Sequence, residues 1–253
     1  YKKQTGNKWD KRTRLQIYED LKKTNNKIVV DSSPSNYINS NYSIIALSGV
    51  SNSKTIYCNE NGYYSIYQSD RYGFNNPDGE WDEQEIEYLL VGDSFTHGAC
   101  VNRPNDIASV LRTLSKKSVL NLGYGGNGPL IEYATLREYL KLNVKKILWI
   151  YSETNDFRDL YNEMNENILM NYFNDVAFTQ NLKLKQNEIN NLVNIKIERE
   201  REKKREKKGF TFKLFKFIRI YNIRFLLITQ PQPQQEPQPE LQHELKKILE
   251  LAK

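Results

Sequence analysis

Three short apolar runs, separated by two helical patterns, constrain the fold of this chain more than any other feature of its sequence. The runs occupy residues 87–91, 118–122 and 146–151, and a helical spacing of apolar residues covers 106–115 and 129–140. Alternating strands and helices are typical of βαβ units, which form parallel sheets with right-handed crossovers. We therefore expect an α/β fold built around a parallel sheet.

The segment before these runs has a different composition. Residues 1–27 are polar and basic, whereas residues 28–74 contain β-branched and tyrosine-rich runs, among them Ser-Ile-Ile-Ala-Leu at 43–47, broken by Ser, Asn and Gly. Such runs predict short strands and turns. We expect a surface arm and a small β-rich appendage over residues 1–80, followed by the α/β core over residues 86–160.

The chain after the third run is charged and helix-prone, which predicts a helical insertion over residues 161–229. Residues 210–228 within it are apolar, with four basic side chains that would fall on one side of a helix. This pattern is typical either of a core-packed helix or of an interfacial membrane helix. Residues 230–240 hold four of the eight prolines and predict a linker, and residues 241–253 predict a short amphipathic helix. No strand pattern follows, so we expect three parallel strands and a domain cut short at its C-terminal end.

Most of the net charge of +6 comes from one segment of the chain. Residues 196–208 hold eight Lys or Arg against four Glu, which is +4 of the total. The interleaved Glu weaken the positive field of this run, and no nucleic-acid-binding motif accompanies it, so we expect no nucleic-acid partner. Peripheral membrane contact through residues 210–228 stays open as an alternative.

Neither the two cysteines nor the glycine-rich loop predicts a metal ion or a cofactor. Cys58 and Cys100 show no metal-ligand spacing, although they can form one disulfide in an oxidising compartment. Residues 123–128 read Gly-Tyr-Gly-Gly-Asn-Gly, without the Lys-Ser/Thr of a phosphate loop or the acidic residue of a dinucleotide site. We expect no cofactor and no metal.

Polar or flexible residues follow each of the three predicted parallel strands. Ser94 follows the first, the glycine-rich loop follows the second, and Asn155 follows the third. Each alone has a simpler explanation, because Ser and Asn also cap helices and turns. The carboxyl ends of parallel strands meet at one edge of a sheet, where these residues would supply a nucleophile and oxyanion donors. Together they favour acyl-transfer chemistry.

The same residues resemble the conserved blocks of the SGNH (GDSL) hydrolases. Three stretches are similar to the first three blocks in order and placement: Gly92-Asp93-Ser94, Asn121-x-Gly123-x-x-Gly126 and Thr154-Asn155-Asp156. The resemblance implies a three-layer flavodoxin-like parallel sheet with Ser94 as the nucleophile. It also implies three oxyanion donors, which are the Ser94 N–H, the Gly126 N–H and the Asn155 side-chain amide.

The resemblance implies an ester substrate as well. An enzyme of this kind is an esterase, deacetylase or acyltransferase acting on a small ester, an acylated glycan or a lipid-linked ester. The cell envelope is the favoured location, since an anchor could precede Tyr1. Two positions depart from the family pattern: Phe95 stands where the family has Leu, and Glu153 where Gly often precedes the third block.

The sequence shows no clear base for Ser94. The family takes an Asp-x-x-His pair from near the C-terminus of its domain, and a serine without a base is a poor nucleophile. His97 lies one helical turn after Ser94, and we expect it in a pocket wall or on a helix surface. His243 follows Glu240 by three residues, but in a helix with no preceding strand. We therefore expect the base beyond Lys253. The alternatives are an inactive binding module of the same fold and a membrane-interaction protein with a basic helix.

Overall fold

A computed structural model describes residues 8–40, 42–152, 156–215 and 239–252 of the protein. These residues form a mixed α/β structure with two small sheets. The strands are β1 (Ile28–Val30), β2 (Lys54–Ile56), β3 (Ile66–Gln68), β4 (Ile86–Gly92), β5 (Val119–Asn121) and β6 (Val144–Ile150). The helices are α1 (Arg14–Lys22), α2 (Ser94–His97), α3 (Ile107–Ser115), α4 (Pro129–Tyr139), α5 (Asp156–Glu163), α6 (Asn167–Asn174), α7 (Gln186–Phe215) and α8 (Pro239–Leu251).

The second sheet carries the site, and its strands are all parallel in the order β5-β4-β6. The central strand β4 is an apolar run whose Leu89, Leu90 and Val91 are fully buried, as expected for a strand covered on both faces. Within the described ranges no strand pairs with the outer edge of β6, which exposes Ile147 and Leu148. The prediction of a parallel sheet with three strands is confirmed.

The two crossover helices each begin at residues that favour a helix N-terminus. Asp106 precedes α3, and its carboxylate accepts a hydrogen bond from the Ser109 N–H at 3.0 Å. Pro129 opens α4, where its missing N–H costs nothing. All residues of α4 except Arg137 are buried, so this helix lies in the centre of the core.

The N-terminal segment forms the other sheet, in the order β1-β2-β3, with β1 parallel and β3 antiparallel to β2. Helix α1 packs on it through Ile17 and Tyr18. The strand expected at residues 43–47 is wrong: Ile44 to Leu47 are buried without strand pairing, and the side chain of Gln180 accepts the Ile45 N–H at 2.9 Å. This segment shares one hydrophobic cluster with β4 and α4.

Helices α5 to α8 follow the parallel sheet, and the charged run at 198–208 lies within α7. The membrane or core helix predicted at 210–228 falls largely on residues 216–238, which lie outside the described residues, as does most of the linker at 230–240. Helix α8 begins at Pro239, two residues earlier than expected. Across the described ranges, no helix combines the length and the apolar character needed to cross a membrane.

A disulfide joins Cys58, just after β2, to Cys100, three residues after α2, with a Cα–Cα distance of 4.9 Å. The Asn61 amide also donates to the Cys100 carbonyl at 3.0 Å. These bonds connect the N-terminal sheet to the loop that follows Ser94 and its helix.

Candidate functional site

Ser94 lies at the first position of α2, directly after β4. Asp93 caps this helix by accepting the Phe95 N–H at 3.0 Å, and the Ser94 hydroxyl donates to the Asp93 carboxylate at 3.4 Å. Gly92 is required before this turn, because a Cβ there would lie 2.2 Å from Thr96 Oγ1. Ser94 is half-buried while its neighbour Asp93 is buried. The strand and the cap thus present the Ser94 hydroxyl at the surface.

Gly126 lies in the loop between β5 and α4, and Asn121 positions that loop. The Asn121 amide donates to the Thr96 carbonyl at 2.6 Å and its side-chain oxygen accepts the Gly123 N–H at 2.8 Å. The loop is therefore bound to the same helix that carries Ser94. Gly126 is exposed and has φ +78°, in the left-handed region that favours glycine.

Ser94 and Gly126 line one open cleft of about 640 Å³. Phe95, which is 66% exposed, lies beside Ser94 in this cleft. Among the described residues, neither the Ser94 nor the Gly126 N–H has a hydrogen-bond partner. The remaining lining residues come from the N-terminal segment, the helix cap and α5: Ser35, Ile38, Asn39, Asp93, Arg158, Asp159, Asn162 and Glu163.

The third predicted oxyanion donor, Asn155, lies outside the described residues, as do Glu153 and Thr154. Ser152 and Asp156, the described residues on either side of these three, are bonded to each other, because the Asp156 carboxylate accepts the Ser152 N–H at 2.6 Å. Burial raises the pKa of the Asp156 carboxyl to about 7. Helix α5 therefore starts near the carboxyl end of β6, which pairs with β4, the strand that precedes Ser94.

His97 is a core residue, and its expected place in a pocket wall or on a helix surface is wrong. Its ring is fully buried between Tyr57 and Tyr124, with ring centroids 4.3 Å and 4.5 Å away, and its Nδ1 accepts the Gly125 N–H at 3.0 Å. Burial lowers the pKa of the His97 imidazole to about 3. This histidine holds the glycine loop in place and cannot act as the base for Ser94.

We predict that His97 stays neutral, with its proton on Nε2, from about pH 8 down to about pH 4.5. The pKa of His97 in the folded state lies below the ordinary value of 6.5, so the folded state disfavours the charged ring. The free energy of unfolding should therefore fall as pH falls below about 6.5, where the unfolded chain binds this proton and the folded chain does not. Nitrogen-15 NMR of the imidazole over this range would measure both properties. A titration midpoint between about pH 6 and 7 would contradict the buried geometry.

His243 does not reach the cleft either. It is exposed on α8, a helix whose Ile248 is buried against the core and which contacts α4 and α5. His243 is not among the residues that line the cleft. Of the residues that the structure describes, no histidine lies in position to activate Ser94.

Glu163 is a buried cleft residue that the sequence did not single out. Its carboxyl accepts the N–H groups of Gly128, Leu130 and Ile131 at 2.6, 2.9 and 3.2 Å, so it caps α4 from a different helix. Thirty-five residues separate it from Gly128, and no local pattern could have predicted this pairing.

The described residues contain no group of three or more His, Cys, Asp or Glu side chains that could hold a metal ion.

Comparisons of the chain with protein-family models, with curated proteins and with solved structures found no match.

Proposed function

We propose that the cleft is the acyl-transfer site of a serine ester hydrolase or acyltransferase of the SGNH type. The observation that carries the proposal is that Ser94, at the start of a helix, and Gly126, in a loop fixed to that helix, line the same cleft. Their N–H groups, which have no partner among the described residues, would donate hydrogen bonds to the negatively charged oxygen that forms when a carbonyl is attacked. Ser94 would be the nucleophile and Asn155 the third donor.

The architecture around the cleft supports the same proposal. The three parallel strands lie in the order second, first, third along the chain, which is the beginning of a flavodoxin-like order. The apolar side chains exposed on β6 suit a sheet that continues past this strand. We infer that the complete fold is the three-layer flavodoxin-like sheet of this family.

Activation of Ser94 requires a general base. Since neither His97 nor His243 can reach it, we propose that the base comes from a part of the protein outside the described residues. The Cys58–Cys100 disulfide is typical of oxidising compartments. It supports a location in the cell envelope, where the proposed substrate would be an acylated glycan or a small ester.

A fluorophosphonate probe on the full-length protein tests the proposal, because such probes bond covalently only to activated serines. We expect one adduct on the peptide that contains Ser94, and no adduct with Ser94→Ala. Ser115→Ala is the control, because Ser115 is a half-buried serine that does not line the cleft, and its removal should leave labelling unchanged. An unlabelled protein, or a label that persists in Ser94→Ala, would refute the enzyme assignment.

A second candidate is a binding module that keeps the cleft without catalysis. The position of the two histidines favours it, because within the described part of the chain Ser94 has no base. The same probe separates the two candidates. A binding module would remain unlabelled and would still bind an ester ligand, and Ser94→Ala would leave its affinity unchanged.

A further inference from the structure

The N-terminal segment supplies one wall of the cleft, and that wall is fixed in place. Residues 33–39 form a short 3-10 turn at Pro34–Tyr37, with Tyr37 fully buried beneath it. The Asn39 N–H donates to the Glu166 carboxylate at 2.7 Å, and the Lys196 ammonium donates to the Asn36 carbonyl at 3.0 Å. Contacts with two separate parts of the chain therefore hold this wall rigid.

The wall lies against the proposed oxyanion donor. A Cβ on Gly126 would lie 2.5 Å from Ser33 Oγ and 3.2 Å from Ser35 Oγ. The two hydroxyl oxygens are 2.7 Å apart, so one donates to the other. A hydroxyl has one proton and two acceptor sites, and the pair therefore keeps one proton free for an outside acceptor. Ser35 is the member that lines the cleft.

The lining of the cleft is rich in polar side chains. Ser35 and Asn39 of the wall line it together with Arg158 and Asn162 of α5, and Ile38 is the apolar member of the wall. Hydroxyl and amide groups can both donate and accept hydrogen bonds. They therefore suit a ligand with several hydroxyl groups, each of which is also a donor and an acceptor. An alkyl alcohol would leave these groups without partners once water is displaced.

We propose that Ser35 and Asn39 determine specificity by binding the alcohol portion of the ester, and that this portion is a hydroxyl-bearing ring. The inference rests on the proposed function, since it assigns the leaving-group side of the same cleft. It also gives the N-terminal segment a role in the site, because these two residues lie outside the βαβ core that carries Ser94.

The test compares two esters of similar shape on the full-length protein, an acetylated methyl glucoside and cyclohexyl acetate. We expect Ser35→Ala and Asn39→Gly to lower kcat/KM for the glucoside ester about tenfold each, and to change cyclohexyl acetate hydrolysis by less than about twofold. Gly suits position 39 because Asn39 has φ +55°. Asn36→Gly is the matched control, because Asn36 is exposed on the same turn outside the cleft, and it should change neither rate.

Equal losses on both esters, or no loss on either, would overturn the specificity assignment. Binding to Ser94→Ala, measured by saturation-transfer NMR, separates this inference from the proposed function. Glucoside binding that is weakened by Asn39→Gly supports the assignment of substrate binding to the wall even if no fluorophosphonate adduct forms. Absence of glucoside binding overturns that assignment even if Ser94 of the wild-type protein is labelled.

Discussion

Removal of the Cys58–Cys100 disulfide is expected to lower the free energy of unfolding by about 4 kcal/mol. The two cysteines are 42 residues apart in sequence, and closing a loop of this size removes that much conformational entropy from the unfolded chain. For a domain of this size the loss corresponds to a fall in Tm of roughly 8–16 °C. The bond also holds Tyr57 close to His97, so the N-terminal sheet should loosen first.

Denaturant unfolding of the wild-type protein and of the double variant Cys58→Ser/Cys100→Ser measures this effect. The reduced wild-type protein should approach the double variant, and reductant should leave the double variant unchanged. Identical unfolding midpoints for the oxidised and reduced wild-type protein would show that the disulfide does not stabilise the fold.

Local patterns in the sequence predict the parallel sheet and its helices well. Strands β4, β5 and β6 and helices α3 and α4 all lie within two residues of their expected ends, because apolar period and helix caps are properties of neighbouring residues. The run at 43–47 shows the limit of this reasoning. Its apolar residues are buried without strand pairing, and the Ile45 N–H is bonded by Gln180, which is 135 residues away in sequence.

The candidate site likewise has parts that the sequence predicts and parts that it does not. Ser94 and Gly126 were predictable, because each follows a strand whose carboxyl end faces the same edge of the sheet. The environment of His97 was not, since Tyr57 and Tyr67 of the N-terminal segment bury its ring. Ser35 and Asn39 reach the cleft through a similar long-range arrangement, which no periodicity in the sequence encodes.

The carboxyl of Glu163 is expected to be the main polar support of the glycine loop and of α4. Glu163→Ala leaves three N–H groups near a buried helix N-terminus without their acceptor, at a cost of about 1–3 kcal/mol for each unsatisfied group. Water that enters from the cleft can bond some of these groups and reduces the total cost, so we expect Glu163→Ala to lower the free energy of unfolding by about 4 kcal/mol. Glu163→Gln keeps a carbonyl acceptor in place and should lower the free energy of unfolding by about half as much.

The pH dependence of unfolding gives a second measure of the same group. Burial raises the pKa of the Glu163 carboxyl from 4.5 to about 8. The unfolded chain therefore releases this proton at lower pH than the folded chain, and stability falls as pH rises from about 4.5 to about 8. Asp156 and Asp31, with pKa values raised by burial to about 7 and about 6, act in the same direction.

Urea unfolding of wild-type, Glu163→Gln and Glu163→Ala proteins at about pH 5 and about pH 8 tests both expectations. The wild-type protein should be more stable at the lower pH, and Glu163→Gln should show a smaller difference between the two conditions because it has no proton to release at this position. A Gln variant with the full wild-type pH dependence would assign that dependence to the other buried carboxyls. Because Glu163 fixes Gly128, two residues after Gly126, the Ala variant should also lose fluorophosphonate labelling of Ser94, whereas the Gln variant should retain it.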